Sequence, residues 1–441
     1  MKKALMVTYY FPPSGGSGVQ RTLKFVRYLP DFGIQPVVLS ARNANYPILD
    51  QTLVDQIPPH VNVYRSLLFE PYSLYRLLTA RQTEESTDIA TLSFTETDRA
   101  SLAERLSEWV RSVFFIPDAR IGWLPFAVLK GIRVIQRERP DIIYSSAPPY
   151  TTHLIALVLS KYFRLPWVAD FRDSWIGWLS TPQWRPPLSR ALEMKMERAV
   201  LRHAQRIITV SRGVRADLYS RHSHLPPDKW ILLPNGYDPS DYGRARPRDP
   251  RLVITYLGSM YGRRNPETLI EALELLYRND KTLSERILIR LVGRIGKPIL
   301  DRIKTSLVSG LFQIISYVDH AESLAYLMAT DLCLLIIDDA PGNEGILTGK
   351  LFEYIGSGQP ILALAPKGEA FDLIKGQNLG VCVTPNDVDS MADTLKRFLH
   401  LHSTHGRIPK VDSAVKERFD RRYQSGILAG HLKRCIRKGD I

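Results

Sequence analysis

The sequence predicts an α/β protein built from two doubly wound parallel-sheet (Rossmann-like) domains in series. Short apolar runs rich in Val, Ile and Leu alternate with amphipathic helical stretches, the pattern of parallel strands covered on both faces. The alternation breaks at YDPSDYGRARPRDPR (237–251), which has no apolar period and is rich in Pro, Gly, Asp and Arg, as an interdomain linker would be. At 441 residues the chain is long enough for two domains, each with its own core.

The elements follow in order. The first domain, 1–240, opens with ALMVTYYF (4–11) and continues with PVVLS (36–40), VNVYRS (61–66), DIIYSS (141–146), PWVADF (166–171), RIITVS (206–211) and WILLPNG (230–236). Each run has strand length and ends in turn residues or a helical pattern. The interval 67–140 is less regular. Its acidic, Ser/Thr-rich stretch at 81–101 reads as an excursion, followed by helical LAERLSEWVRSVFF. The second domain, 241–415, restarts with LVITYLGS (252–259), RILIRLVG (286–293), QIISYV (313–318), DLCLLII (331–337), PILALA (360–365) and GVCVTP (380–385). A closing basic helix is expected over 416–441.

Composition narrows the function. With 44% hydrophobic residues the chain is globular, and its net charge of +14 points to anionic partners: phosphates, acidic lipid surfaces or nucleic acid. Three cysteines, Cys333, Cys382 and Cys435, are too few and too scattered for a disulfide framework or a zinc site, so a cytoplasmic setting is expected. The start, MKKALMVTYYFPP, has a short apolar run that ends in Pro-Pro without a small-residue cleavage site, and reads as the first strand rather than a signal peptide. No run has the apolar length to span a bilayer. RPPLSRALEMKMERAVLRHAQR (185–206) carries six Lys/Arg against two Glu, and the tail at 421–438 is basic too. Either face is a solvated helix or a surface for an anionic membrane at the inner face of the cell.

Ligands of open α/β sheets bind beyond the carboxyl ends of the strands, so two such sheets imply a central cleft, and function is sought in the loops after strands. The first strand leads into FPPSGGSGVQR, where Gly15, Gly16 and Gly18 open a helix; the loop is a tight turn or an anion cradle. It does not fit a dinucleotide fingerprint, which wants Gly or Ala where Arg21 stands and an acid ending the second strand. Arg263 and Arg264, after the strand in YLGSMYGRRNPETLIEAL, suit a diphosphate or are two solvated arginines. TGKLFEY adds Lys350 at another helix start and sets Glu353 between Phe352 and Tyr354. A carboxylate there needs polar partners, and a sugar's hydroxyl pair would supply them. His153 and His320 lack metal-ligand spacing, and the adjacent Asp338 and Asp339 read as turn acids rather than a spaced ligand pair, so no metal is expected. Trp123, Trp175 and Trp178 are core aromatics or the floor of an acceptor pocket.

FPPSGGSGVQR, ADFRDSW (169–175), IITVSRGVRADL (207–218), LLPNGYD (232–238), YLGSMYGRRNPETLIEAL (256–273), IRLVGRIG (289–296), YVDHAESLAYLMATDLCLLI (317–336) and TGKLFEYIGSGQPILA (348–363) appear in the order found in retaining, nucleotide-sugar-dependent glycosyltransferases of family 4. The chain resembles that family over almost its whole length. The resemblance implies the GT-B fold, with an acceptor-side N-terminal domain and a C-terminal domain that binds the nucleotide-sugar. It implies ribose binding by Glu353, diphosphate binding by Gly15, Gly16, Arg263, Arg264 and Lys350, a base near Val318 and His320, and a catalytic group of Arg172, Asp173 and Glu344. Arg172 stands where many members carry His, and Ser259 replaces a common Arg. The first glutamate of the family's pair falls at Gly345, so Glu344 either serves the sugar or is merely its neighbour. The implied reaction is sugar transfer with retention, by front-side attack and with no cofactor, to a lipid-linked or glycan acceptor in cell-surface polysaccharide or glycolipid assembly. Nucleic acid is not an expected partner. A nucleotide-sugar epimerase, a phosphorylase and a non-catalytic nucleotide-sugar sensor are the alternatives.

Overall fold

Each expected strand run forms a strand, and the strands pair in parallel because every connection between them is long enough to cross over. The structure, a computed structural model, describes residues 1–42, 44, 46, 49–69, 116–176, 186–243, 245–262, 264–340 and 342–439. The stretch 81–101, the helical segment after it, Arg263 and Trp178 lie outside these residues. The chain divides into two compact units, Met1–Pro234 with Arg421–Ile441, and Asn235–Asp420, against expected boundaries at 240 and 415.

In the first unit, β1 (Lys2–Thr8), β2 (Ile34–Ala41), β3 (Asn62–Ser66), β4 (Ile142–Ala147), β5 (Trp167–Phe171), β6 (Arg206–Thr209) and β7 (Trp230–Leu232) form one sheet ordered β3-β2-β1-β4-β5-β6-β7. Leu5 stands opposite Val37 on one side and Ile143 on the other, which fixes the register of the three central strands. The order reverses between β1 and β4, so the loops after these two strands part there and leave room for a ligand. Helix α1 (Ser17–Tyr28) lies on one face of the sheet. Helices α2 (Leu124–Glu138), α3 (Thr151–Phe163), α4 (Pro187–His203) and α5 (Arg212–Arg221) cover the other. Period two makes the division: Leu5 and Val7 join Val134, Ile155, Leu159 and Val200 of the helices on that side, whereas Ala4 and Met6 join Leu23 and Val26 of α1.

The second unit repeats the plan with β8 (Leu252–Leu257), β9 (Ile287–Val292), β10 (Phe312–Ile315), β11 (Leu332–Ile336), β12 (Ile361–Leu364) and β13 (Gly380–Val383), ordered β10-β9-β8-β11-β12-β13. Its helices are α6 (Glu267–Asn279), α7 (Leu283–Arg286), α8 (Lys297–Thr305), α9 (His320–Met328), α10 (Gly349–Ser357), α11 (Glu369–Gly376), α12 (Val388–His405) and α13 (Ser413–Glu417). Its switch point falls between β8 and β11. The last helix, α14 (Arg421–Gly439), returns to the first unit and buries Leu428, Leu432 and Ile436 in the same cluster as α1. The two basic stretches noted in the sequence therefore lie on opposite faces of the first sheet.

One ion pair knits the first unit together. Arg21 on α1 donates from Nε and Nη2 to the two oxygens of Asp170 on β5, at 2.8 and 2.9 Å, with both side chains fully buried. Its remaining donors reach the carbonyls of Pro234 and Leu233, each at 2.9 Å. Asp170 also accepts from Tyr144 Oη at 2.6 Å and Ser146 Oγ at 2.9 Å on β4. Burial raises the Asp170 carboxyl, and the Arg21 charge together with the hydrogen bonds from Arg21, Tyr144 and Ser146 outweighs it and holds the group below the usual carboxylate range. Removing one partner leaves the other charge buried and alone, which costs about 3–5 kcal/mol. Asp170→Ala is therefore expected to lower the urea midpoint of the first unit sharply. Asp393→Ala, which breaks an exposed ion pair with Lys396, is expected to leave unfolding unchanged; equal effects would refute the central role of the buried pair.

Candidate active site

In the second unit the site begins where β8 and β9 end side by side. Gly258 follows β8 with φ 97°, and a Cβ there would lie 2.7 Å from Lys350 Cε. Gly293 follows β9, and a Cβ on it would lie 2.5 Å from the Gly258 carbonyl oxygen. Two residues without side chains thus let the strand ends close up and admit a lysine from α10. Lys350 donates to Tyr256 Oη at 2.7 Å and to the Ser259 carbonyl at 3.4 Å, with its ammonium 4.3 Å from the Tyr256 ring centroid.

Arg264 adds a second cation to this corner. Its charge and a hydrogen bond act on the Tyr256 phenol, which burial still pushes up to about 12. Burial first, then Arg264, lowers Lys350 to about 7, with only Glu353 opposing. Two neighbouring cations opposed by one carboxylate leave local positive charge to be met. Several donors there are also unmet. Arg264 Nε and Thr348 Oγ1 are buried without a hydrogen-bond partner among the described residues. Thr348 is the N-cap of α10 yet makes no side-chain cap bond, so the first N–H groups of that helix lack that partner.

Glu353 lies one turn further along α10. Its Oε1 is 3.2 Å from His320 Nε2, with both side chains half-buried, and its carbonyl accepts from Tyr242 Oη at 2.6 Å. His320 begins α9, whose N-cap Asp319 accepts from the Glu322 N–H at 2.7 Å. Val318, two residues earlier, is half-buried against the core beneath α9 and α10. The structure thus joins Lys350, Arg264, Glu353 and His320 into one corner of the second unit. Glu344 makes its hydrogen bond elsewhere. It is exposed in the turn Asn343–Gly345, and its Oε2 accepts from the Gly342 N–H at 2.8 Å.

The first unit presents its own set of loops. Gly16 caps α1 with φ 86°, a conformation suited to glycine, and no side chain caps the helix. Gly15 precedes it, and the Ser14 N–H donates to the Phe11 carbonyl at 3.1 Å. Arg172, at the end of β5, donates from Nη1 to the Gly18 carbonyl at 2.7 Å, from Nε to that of Ala147 at 3.3 Å, and from Nη2 to that of Pro148. The guanidinium clamps the first turn of α1 to the end of β4 and the loop after it, at the switch point. Asp173 beside it is exposed.

Other residues singled out in the sequence belong to the core. His153 Nδ1 lies 2.8 Å from Ser145 Oγ, and burial takes the ring down to about 3, so it stays neutral. Trp123 donates to Ser66 Oγ at 2.7 Å, and Trp175 is buried in a stack on Tyr150. Sequence reasoning missed Tyr256 and Thr348 as site residues. Tyr256 ends a buried strand, where an aromatic reads as core, and Thr348 carries the ordinary signature of a helix cap. No group of three or more His, Cys, Asp or Glu side chains that could hold a metal occurs among the described residues.

Two family models match the chain in series. Residues 87–241 match the model described as Glycosyltransferase Family 4, and residues 251–400 the one described as Glycosyl transferases group 1. No curated protein matches the sequence. Among solved structures, HepE of Anabaena in complex with UDP and glucose is 15% identical, with a TM-score of 0.62 over 98% of this chain and 100% of that one. A glycosyltransferase from Rickettsia africae is 14% identical, with a TM-score of 0.62 over 98% of each chain. WaaG, a glycosyltransferase involved in lipopolysaccharide biosynthesis, is 14% identical, with a TM-score of 0.52 over 99% of this chain and 98% of that one. With glycosyltransferase models matched in both halves and two parallel-sheet domains shared with such enzymes, the chain is a glycosyltransferase of the GT-B type.

Proposed function

We propose that this enzyme moves a sugar from a nucleotide-sugar donor to an acceptor hydroxyl with retention of configuration and without a metal. The acceptor is a lipid-linked intermediate or a growing glycan in cell-surface polysaccharide or glycolipid assembly, met on the cytoplasmic side. The observation that carries the reading is the corner around Tyr256: Lys350, Arg264 and the start of α10 supply positive charge and unmet donors, and Glu353 stands one turn further on. A nucleoside diphosphate fits that order of groups, with its phosphates on the cations and helix N-terminus and its ribose hydroxyls on Glu353. His320 and Val318 then face the base. HepE, which shares the fold, has been solved with UDP and with UDP-glucose, and WaaG acts in lipopolysaccharide biosynthesis.

The reaction follows from the charges. As the acceptor oxygen attacks the anomeric carbon, the bond from that carbon to the diphosphate oxygen breaks and its electron pair stays on the phosphate. Fixed cations near that oxygen stabilise the developing charge more in the transition state than in the ground state. In the front-side mechanism the acceptor attacks from the face the phosphate leaves and the departing phosphate oxygen takes its proton, so configuration is kept and no protein nucleophile is needed. Arg172 holds the glycine loop of the first unit in place, and Asp173 and Glu344 are assigned to the sugar side of the reaction.

The protonation of Lys350 gives the first test. A bound diphosphate favours the charged ammonium, so binding above pH 7 takes up a proton at Lys350, and affinity falls as pH rises through about 7. UDP is expected to bind up to about tenfold more weakly per pH unit above that point, and Lys350→Met to bind weakly with a flat profile. Calorimetry from pH 6.5 to 9 measures both; a flat wild-type profile would refute the assignment of Lys350. Glu353→Gln is expected to cost about 1.5–3 kcal/mol of donor affinity while the thermal midpoint of the free protein holds. Unchanged affinity would remove Glu353 from the ribose site. Turnover of UDP-glucose with a lipid-linked acceptor is expected to persist in excess EDTA and to leave the sugar in the donor's anomeric configuration. Loss of activity in EDTA would overturn the metal-free reading, and conversion of the donor alone would point to an epimerase.

A further inference from the structure

We infer that the first unit binds a phosphate group of the acceptor where β1 and β3 end, with Arg65 and Arg120 as its ligands. Arg65 stands near the end of β3, half-buried, and its side-chain bond among the described residues runs from Nη2 to the carbonyl of Pro12 in the loop after β1. Arg120 lies in the turn before α2 and is half-buried too. That turn is tied to the end of β3 by the bond from Trp123 to Ser66 Oγ, and to the start of α3 by Asp118, which accepts from the Thr151 N–H and hydroxyl at 2.8 Å each. The Arg120 guanidinium lies over the Tyr9 ring, 5.2 Å from its centroid. Tyr46 relates the two arginines. Its hydroxyl donates to the Tyr9 carbonyl at 3.1 Å, and while burial raises the phenol, the charges of both Arg65 and Arg120 oppose the rise.

Charge balance sets this place apart from the rest of the unit. Arg21 and Arg221 spend their forks on carboxylates, Asp170 in the first case and Glu197 with Asp217 in the second. Arg65 has no carboxylate partner among the described residues, so most of its donors stay open to a ligand. Asp118, two positions before Arg120, already has both oxygens engaged by Thr151 and by the Arg120 N–H. A neutral sugar needs groups that accept from its hydroxyls, and this carboxylate is consumed. A phosphate needs donors, and a guanidinium fork grips it in a bidentate way. The rings beneath Arg120 are packed edge to face, with Tyr9 5.7 Å from both Tyr46 and Trp123. They support the guanidinium without neutralising it. The assignment to the acceptor rests on the transferase reading, which gives the donor to the second unit and leaves the first for the other substrate.

Calorimetric titration of the full chain with inorganic pyrophosphate in saturating UDP tests the site. UDP fills the corner around Lys350, and pyrophosphate is expected to bind at one further place. Arg65→Gln and Arg120→Gln, made singly, are each expected to weaken that binding about tenfold or more. Arg133→Gln, at an exposed position of α2, is expected to leave it unchanged. Circular dichroism reports whether each variant keeps its fold. The same titration on the Lys350→Met protein without UDP reads the first-unit site even where UDP fails to bind, so failure of the donor reading and failure of this inference are separate results. Of geranyl diphosphate and glucose 1-phosphate, the tighter binder at this site names the source of the phosphate, a lipid-linked acceptor or a soluble sugar phosphate. Absence of a pyrophosphate site in both the UDP-loaded and the Lys350→Met proteins, binding that either folded arginine variant leaves unchanged, or an equal loss from Arg133→Gln would overturn the proposal.

Discussion

The buried pair between Arg21 and Asp170 is the constraint on which the architecture of the first unit depends. Two opposite charges in a protein interior repay their desolvation only if geometry is good and the remaining donors and acceptors are met. Both conditions hold here: the fork of Arg21 spans both oxygens of Asp170, and its other donors reach the end of the chain segment after β7. The pair ties α1 to β5, β5 to β4 through Tyr144 and Ser146, and all three to the segment at 233–234. Because α1 begins at the glycine loop and β5 leads into Arg172, the same bonds set where the loops at the switch point can go. Arg172 then adds three bonds from its guanidinium to the carbonyls of Gly18, Ala147 and Pro148, so the start of α1 is tied to the end of β4 and the loop after it.

The second unit uses the opposite device. Its switch point holds an incompletely matched set of charges, with Lys350 lowered to about 7 by burial and by Arg264, and only Glu353 to oppose them. Gly258 and Gly293 create that situation, since any side chain at either position would push Lys350 or the Gly258 carbonyl away. Burying a cation beside another cation costs stability in the free protein. Strained charge of this kind is characteristic of functional sites, and it supports the anion-binding role proposed for this corner. One unit thus satisfies its buried charges, and the other leaves some of them unmatched.

Local signals are the legible part of the sequence. Both sets of strand runs, the linker and the glycine turns depend on periodicity and on turn residues, which act within a few positions, and the expected strands form where those signals lie. Pairings over long separations are not legible. Arg21 and Asp170 lie 149 residues apart, so Arg21 registers only as a misfit to a dinucleotide fingerprint. Helix α14 reads as a basic tail because its apolar stripe, Leu428, Leu432 and Ile436, has meaning only once α1 is in place to receive it. Arg172 reads as a residue that acts on substrate, and a sequence cannot reveal that its guanidinium donors reach the carbonyls of Gly18, Ala147 and Pro148. Glu353, by contrast, is visible from its neighbours: a carboxylate between two core aromatics needs a polar partner, and His320 is one.

Net charge gains meaning in the same way, through placement. The count of six basic residues against two acids over 185–206 describes a mildly basic helix. Folding changes that balance, because both glutamates turn inward and Glu197 is taken up by Arg221 and His222 of the neighbouring segment. The side of α4 left outward is cationic and apolar, and α2 and α3 extend it with the same sorting. The tail takes the other course, with its apolar side buried and one of its arginines neutralised by Asp31. Two stretches of similar composition therefore present different surfaces, and the difference is made by which acids the fold consumes. A charge of +14 is a property of the chain; the direction in which that charge points is a property of the sheet that sorts the helices onto its two faces.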